Sequence, residues 1–196
     1  MNIFKTHLLL MAVGSMTEVT ITPLTFEADL ALVTKATPKN KKEPTPDVLH
    51  QLRLEAMTGL DEKELDSLSQ PDLNTIENWV NVFTLSDSVM VAHLLGITLK
   101  DNESEETEWH IVDGMNPTLL VPLPDGKDSY QLKYPTGKTT KRFNAYDEAR
   151  ARTDYISVAC TSLSEAQLLK LSVPDWTYLQ RRLTDFLSQK ADFFRS

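Results

Sequence analysis

Only one cysteine, Cys160, stands in the 196 residues. No internal disulfide can form, so the stapled scaffold of a small secreted domain is excluded. Cys160 falls in an apolar helical stretch, where a thiol reads as packing rather than as a nucleophile. Positive charge is also short: twenty Lys and Arg against 28 Asp and Glu leave a net charge of -8. A phosphate backbone is repelled by that balance, so nucleic acid is not an expected partner; the acidity reads first as a device for solubility, and a partner with basic helices or a basic tail is compatible with it. Long apolar runs are missing too, since no segment approaches the roughly 18 residues of a membrane helix. The apolar run Leu8 to Val13 after Lys5 reads as a strand or a disordered leader. Cleavage near Ala12-Val13-Gly14 and secretion is the minor alternative to a soluble protein of the cytoplasm.

Catalytic signatures are equally scarce. Gly137-Lys138-Thr139 resembles the end of a phosphate-binding loop, but Leu132 stands where that motif needs its first glycine. His7, His50, His93 and His110 have no partner at metal-ligand spacing. No Gly-x-Ser-x-Gly elbow is present. The carboxylates Asp61, Glu62 and Glu64 cluster where they meet the positive end of a helix dipole. Asn102-Glu103-Ser104 matches a glycosylation acceptor only if the chain is secreted. No catalytic residue, cofactor or metal site is therefore expected, and the chain reads as an interaction protein rather than an enzyme.

What the sequence does contain is a repeat. Hydrophobic residues make up 41% and charged residues 24%, a balance that supports a packed core, and the length accommodates one core or two small ones. Sliding the chain on itself by 103 positions brings Ala56-Met57-Thr58-Gly59-Leu60 onto Ala159-Cys160-Thr161-Ser162-Leu163. Without a gap, Glu62, Leu65, Leu68, Ser69, Pro71, Asp72 and Phe83 then fall on Glu165, Leu168, Leu171, Ser172, Pro174, Asp175 and Phe186. Asp61 with Glu64, and Ser164 with Gln167, spell capping boxes that open a short helix. Ser69-Gln70-Pro71-Asp72 and Ser172-Val173-Pro174-Asp175 then open a longer one, with proline in the first turn where its missing N–H is harmless. Leu73, Ile76, Val80 and Phe83 recur at helical spacing, as do Trp176, Leu179, Leu183 and Phe186.

Helices are also expected over about 47–57 and 146–160. Extended stretches, Val19-Thr20-Ile21-Thr22 and Tyr130-Gln131-Leu132-Lys133-Tyr134, precede them and stop at Pro23 and Pro135. Between strand and helices lie two basic, turn-prone loops, Thr37 to Pro44 and Thr136 to Arg142. A helix from Ser86 to Leu95 closes the first half with Gly96 as its C-cap. Asp101 to Glu108 reads as a polar, acid-rich linker. Trp109-His110-Ile111-Val112 and Thr118-Leu119-Leu120-Val121 read as strands, a small β addition to the second copy. The expected fold is mainly α with small β additions (α+β). It comprises two tandem modules, 17–96 and 97–196, each a short strand followed by about three helices, the second with an inserted β-rich segment at about 109–134.

The stretch Met57-Thr58-Gly59-Leu60-Asp61-Glu62-Lys63-Glu64-Leu65-Asp66-Ser67-Leu68-Ser69-Gln70-Pro71-Asp72-Leu73, followed by an amphipathic helix, resembles the helical signature of tailed-bacteriophage tail assembly chaperones. Tyr130 to Pro135 resembles the short strand with which many of them begin. The resemblance covers about 60% of the chain, once in each copy. It implies a non-enzymatic protein of the host cytoplasm that coats the tape measure protein, keeps it soluble and helps recruit tail tube subunits. The duplication departs from the usual single module, and a fused pair could replace two subunits of an assembly, with self-association a further expectation. A physical mechanism consistent with this is capture of an amphipathic partner helix by an exposed apolar stripe, with Trp79, Phe193 and Phe194 as candidate contacts. The alternative is a permanent structural tail component, a completion or baseplate-associated protein.

Overall fold

The computed structural model describes residues 3–99 and 115–194. The chain is mainly helical with small β elements, as its punctuation predicts. It opens with strands β1 (Lys5–Val13) and β2 (Met16–Ile21), paired antiparallel with Lys5 opposite Ile21 and Leu8 opposite Glu18. The register shifts between Leu8 and Val13, where Val13 pairs with Met16. Helices α1 (Phe26–Ala36), α2 (Pro46–Thr58), α3 (Glu62–Asp66), α4 (Gln70–Leu85) and α5 (Ser88–Leu95) follow. After residue 114 come α6 (Gly137–Asn144), α7 (Ala149–Ala159), α8 (Glu165–Lys170), α9 (Val173–Ser188) and a closing 3-10 turn, Ala191–Phe194.

The repeated punctuation acts as its chemistry dictates. Both capping boxes close reciprocally: Glu64 N–H donates to Asp61 and Asp61 N–H to Glu64, and Gln167 N–H and Ser164 N–H do the same in α8. Ser69 and Ser172 cap the long helices by accepting from the N–H groups of Asp72 and Asp175. Gly59 and Gly96 end α2 and α5 in the left-handed conformation, φ 74° and 67°, which a side chain would strain.

Two buried clusters form, one drawn mainly from each half, with Leu120 of the second half joining the first and Phe26 of the first half packing on the second. The first gathers Val19 and Ile21 from β2, Leu54 and Met57 from α2, Ile76, Val80 and Phe83 from α4, and Val91 and Ala92 from α5. The second gathers Tyr130, Leu132, Ile156, Cys160, Leu168, Leu171, Leu179, Leu183 and Phe186. Full burial of an aliphatic or phenyl side chain contributes about 1.5–3 kcal/mol, so these clusters rather than helix propensity hold the short helices. Between α1 and α2, Arg53 clamps Asp29 through two bonds of 2.8 and 2.9 Å.

The halves pack on one another. Phe26 N–H donates to the Leu171 carbonyl (2.7 Å) and Val173 N–H to that of Leu24 (2.9 Å), while the Phe26 and Trp176 rings stack at 3.8 Å. Helix α4 contacts α9, and α5 contacts α9, with Arg181 paired to Asp87 and Lys170 to Glu27.

Three expectations change. The β-rich stretch of the second half is not its private addition. Residues 115–119 and 128–132 form a hairpin ladder, with Leu119 N–H on Asp128 O, Tyr130 N–H on Pro117 O and Leu132 N–H on Met115 O. Its register slips as that of the first hairpin does, since Leu123 N–H donates to Lys127 O. Each hairpin also ties to the helix behind it, through Thr22 N–H to Met57 O (3.0 Å) and Lys133 N–H to Cys160 O (2.8 Å). Both strands of the first hairpin lie on stretches that the sequence reads as extended, Leu8 to Val13 and Val19 to Thr22, but their pairing escapes a pattern search because the first is uniformly apolar and shows no alternation. Second, Thr136 to Arg142 is not a loop: Thr136 caps α6, and Lys141 and Arg142 lie at its negative end. Third, α1 precedes the expected trio in the first half as α6 does in the second, opened by Thr25, whose hydroxyl accepts from Ala28 N–H. The linker expected at Asp101–Glu108 and the strand at Trp109–Val112 lie outside the described residues.

Candidate partner-binding surface

The third residue of each long helix holds a piece of its hairpin. Asp72 is wholly inaccessible, and its carboxylate accepts from Leu10 N–H (3.0 Å), His7 Nε2 (2.8 Å) and Ser69 Oγ (2.6 Å). Asp175, buried at 2% exposure, accepts from Leu120 N–H (2.8 Å), Val121 N–H (3.1 Å) and Ser172 Oγ (2.6 Å), with the Ser88 hydroxyl of α5 a further donor. The donated bonds, that of Ser69 foremost, lower the Asp72 carboxyl to about 2, whereas burial pushes Asp175 up to about 6.

Both carboxylates occupy the N-terminal turn of a helix and satisfy the backbone where the ladder has slipped, which is why an irregular hairpin survives there. What the two hairpins do with their side chains differs. Leu120 is 3% exposed and belongs to the first half's core, Leu119 belongs to the second's, and Val121 packs against the first. In the first half Leu8, Leu10 and Met11 are 71%, 73% and 67% exposed. Three large apolar side chains at the same bend are therefore open to water. Exposed apolar side chains grouped on one short segment mark an interaction site more often than scattered single residues do.

Trp79 lies on α4 and is half-buried against the first core, its ring 5.9 Å from that of Phe83 and covered by Lys5 Nζ of β1 at 4.8 Å. It thus borders the β1 side of the molecule through Lys5. Phe193, half-buried, and Phe194 belong to the terminal 3-10 turn, the Phe194 side chain lying outside the described part. Leu8, Leu10 and Met11 fall in the run that the sequence reads as a strand or a disordered leader, and the structure has the strand, but the run shows no alternation to say which side chains are exposed. Their one clue is the run's apolarity without a neighbouring apolar run to pair with.

Little else in the described residues suggests chemistry. No group of three His, Cys, Asp or Glu among them could hold a metal ion. Cys160 is 1% exposed, and burial pushes its thiol up to about 11. Gly137-Lys138-Thr139 forms the first turn of α6 rather than a glycine-rich cradle. Arg142, Ala145 and Tyr146 line an open depression of about 420 Å³ beside α6. No described helix is long and apolar enough to cross a membrane. Comparisons of the chain with family models, with curated proteins and with solved structures match nothing.

Proposed function

We propose that this protein is a non-enzymatic binding protein that captures amphipathic helices of a partner. In its specific form the proposal is a phage tail assembly chaperone of the host cytoplasm, holding the tape measure protein soluble while tail tube subunits are recruited. The observation that carries it is the exposure of Leu8, Leu10 and Met11 on a hairpin whose counterpart in the second half is covered by helical structure. The internal junction shows the kind of element this bend accommodates: Ser88 of α5 reaches Asp175, and Leu120 joins a core that includes Val91 and Ala92 of the same helix. A partner helix with an apolar stripe fits the open face by the same packing. The chain's net charge of -8 suits a partner with basic residues flanking that stripe.

The test is an affinity pull-down of the tagged protein co-expressed with its neighbouring reading frames. Recovery of a very long helical protein with several copies of bait, lost on Leu10→Ser with Met11→Ser, supports the proposal. Clean recovery of bait alone counts against it. Recovery within purified particles would instead favour a permanent tail component.

A further inference from the structure

The junction between the halves joins two unlike surfaces, and the chain carries each of them a second time. Phe26 and Val173 are the first residues of α1 and α9, so no carbonyl of their own helix can reach their N–H groups. They bond across the junction instead, Phe26 to the Leu171 carbonyl and Val173 to that of Leu24. Beside them Glu27 of α1 pairs with Lys170 of α8. Leu120, at the bend of the second hairpin, joins the cluster that holds Val91 and Ala92 of α5. One surface is thus Leu24 to Glu27 with α5, and the other is the hairpin bend with α8 and the start of α9.

The repeat sets out the first of these surfaces again in the second half, and the second of them in the first half. Thr25 and Thr136 cap α1 and α6, an offset of 111, so Leu24, Phe26 and Glu27 correspond to Pro135, Gly137 and Lys138. By the 103-residue offset Leu171 and Val173 correspond to Leu68 and Gln70, and α8 corresponds to α3. Leu10 corresponds to Leu120, because each donates its N–H to the aspartate of its long helix. The start of α5 corresponds to the closing turn Ala191–Phe194, with Phe193 in the place of Met90.

These second surfaces are open. Gly137 and Gln70, the first residues of α6 and α4, are exposed, and Leu10 and Met11 face water where Leu120 is enclosed. Their charges also match. Helix α6 exposes Lys138, Lys141 and Arg142, while α3 with its cap exposes Asp61, Glu62, Glu64 and Asp66 against the single cation Lys63. At the junction the α1 side is acidic and the α8 side basic; at the open surfaces both signs are exchanged, so complementarity is kept. Two independent solvated faces have no reason to change sign together.

We infer that a second copy of this chain docks on the first by repeating the internal junction. Helix α6 and the closing turn of one copy meet α3, the start of α4 and the bend at Leu10 and Met11 of the next. Such a contact is heterologous, so each added copy leaves one surface of each kind open and assembly runs on to a ring or a filament. The net charge of -8 opposes approach, but at physiological ionic strength charges further than about 8 Å apart are screened, and the facing α6 cations and α3 carboxylates decide the contact. The proposed partner helix uses the same bend and therefore competes with the second copy.

The test is sedimentation velocity of the full chain alone from about 5 to about 200 µM at about 0.15 M salt, with no partner present, so that its failure leaves the proposed helix capture standing. The expected result is a weight-average mass that rises about twofold or more over that range. Leu10→Ser with Met11→Ser removes the receiving bend, and Lys141→Glu with Arg142→Glu reverses the charge of α6; each variant alone should stay monomeric. Mixed in equal amounts they should form one-to-one pairs, because each keeps the surface that the other has lost. All four side chains are exposed, and an unchanged Tm verifies folding. Glu62→Lys with Asp66→Lys, on α3, should likewise be monomeric and serves if either first variant misfolds. A wild type that stays monomeric throughout, a folded variant that associates as the wild type does, or a mixture that stays monomeric overturns the inference.

Discussion

Asp72 and Asp175 stand at the same position of two long helices, each receiving backbone N–H groups from the bend of its hairpin, yet their carboxyls titrate far apart. Asp72 is lowered to about 2 because hydrogen bonds from Ser69, Leu10 and His7 favour its charged form. Asp175 is raised to about 6 because desolvation between the two halves outweighs the bonds it accepts. The difference follows from location: Asp175 sits where the two halves meet, and Asp72 lies beneath an open face.

Their effects on stability have opposite signs. A carboxyl raised above its unfolded value of 3.8 contributes stability that is present below that value and lost as pH rises towards about 6; one lowered to about 2 contributes stability present above 3.8 and lost as pH falls towards 2. Urea midpoints measured from pH 2 to 8 should show Asp175→Asn flattening the curve between about 4 and 6. Asp72→Asn should flatten it between about 2 and 4. Identical curves for the two variants would show that the carboxyls do not differ.

Leu10 and Leu120 offer a matched pair. Leu120→Ala should cost about 2–4 kcal/mol in urea unfolding, as a large-to-small change in a packed core does. Leu10→Ala should stay within about 0.5 kcal/mol, the range of ordinary surface changes. Equal losses would mean that the β1 face is covered in the isolated protein.

Phe193→Ser with Phe194→Ser should weaken partner capture while leaving thermal stability unchanged. A fall in Tm of more than a few degrees would assign these rings to end-packing instead.

Cys160 should be inert in the native state, because the thiol is buried and kept protonated. Labelling with a thiol-specific disulfide reagent at pH 8 should be at least about a hundredfold slower than in denaturant, tracking the unfolded population. Rapid native labelling would place Cys160 at a surface.

Much of the helical framework was legible because its signals are local. Asp61 with Glu64, Ser164 with Gln167, and the two Ser-x-Pro-Asp starts act within one turn, so their meaning survives without knowledge of the rest of the chain. The helix α6 was legible in principle from Thr136, yet its glycine and β-branched residues read more readily as a loop. The first hairpin was obscured because it exposes on one strand the apolar residues that alternation would place inside. Trp79 was visible as a large apolar residue, but its partners, Phe83 one turn away and Lys5 from a distant strand, were not equally so.

By itself, the sequence determined the mainly helical class, the starts of its longest helices, and the 103-residue correspondence between Asp72 and Asp175. These depend on contacts between residues a few positions apart. Only the tertiary structure decided that Leu120 is buried and Leu10 exposed, and that one aspartate carboxyl is lowered to about 2 while the other is raised to about 6. Burial and desolvation depend on what the rest of the chain brings alongside, and two nearly equivalent local patterns acquire different properties when one faces the other half and its counterpart faces water.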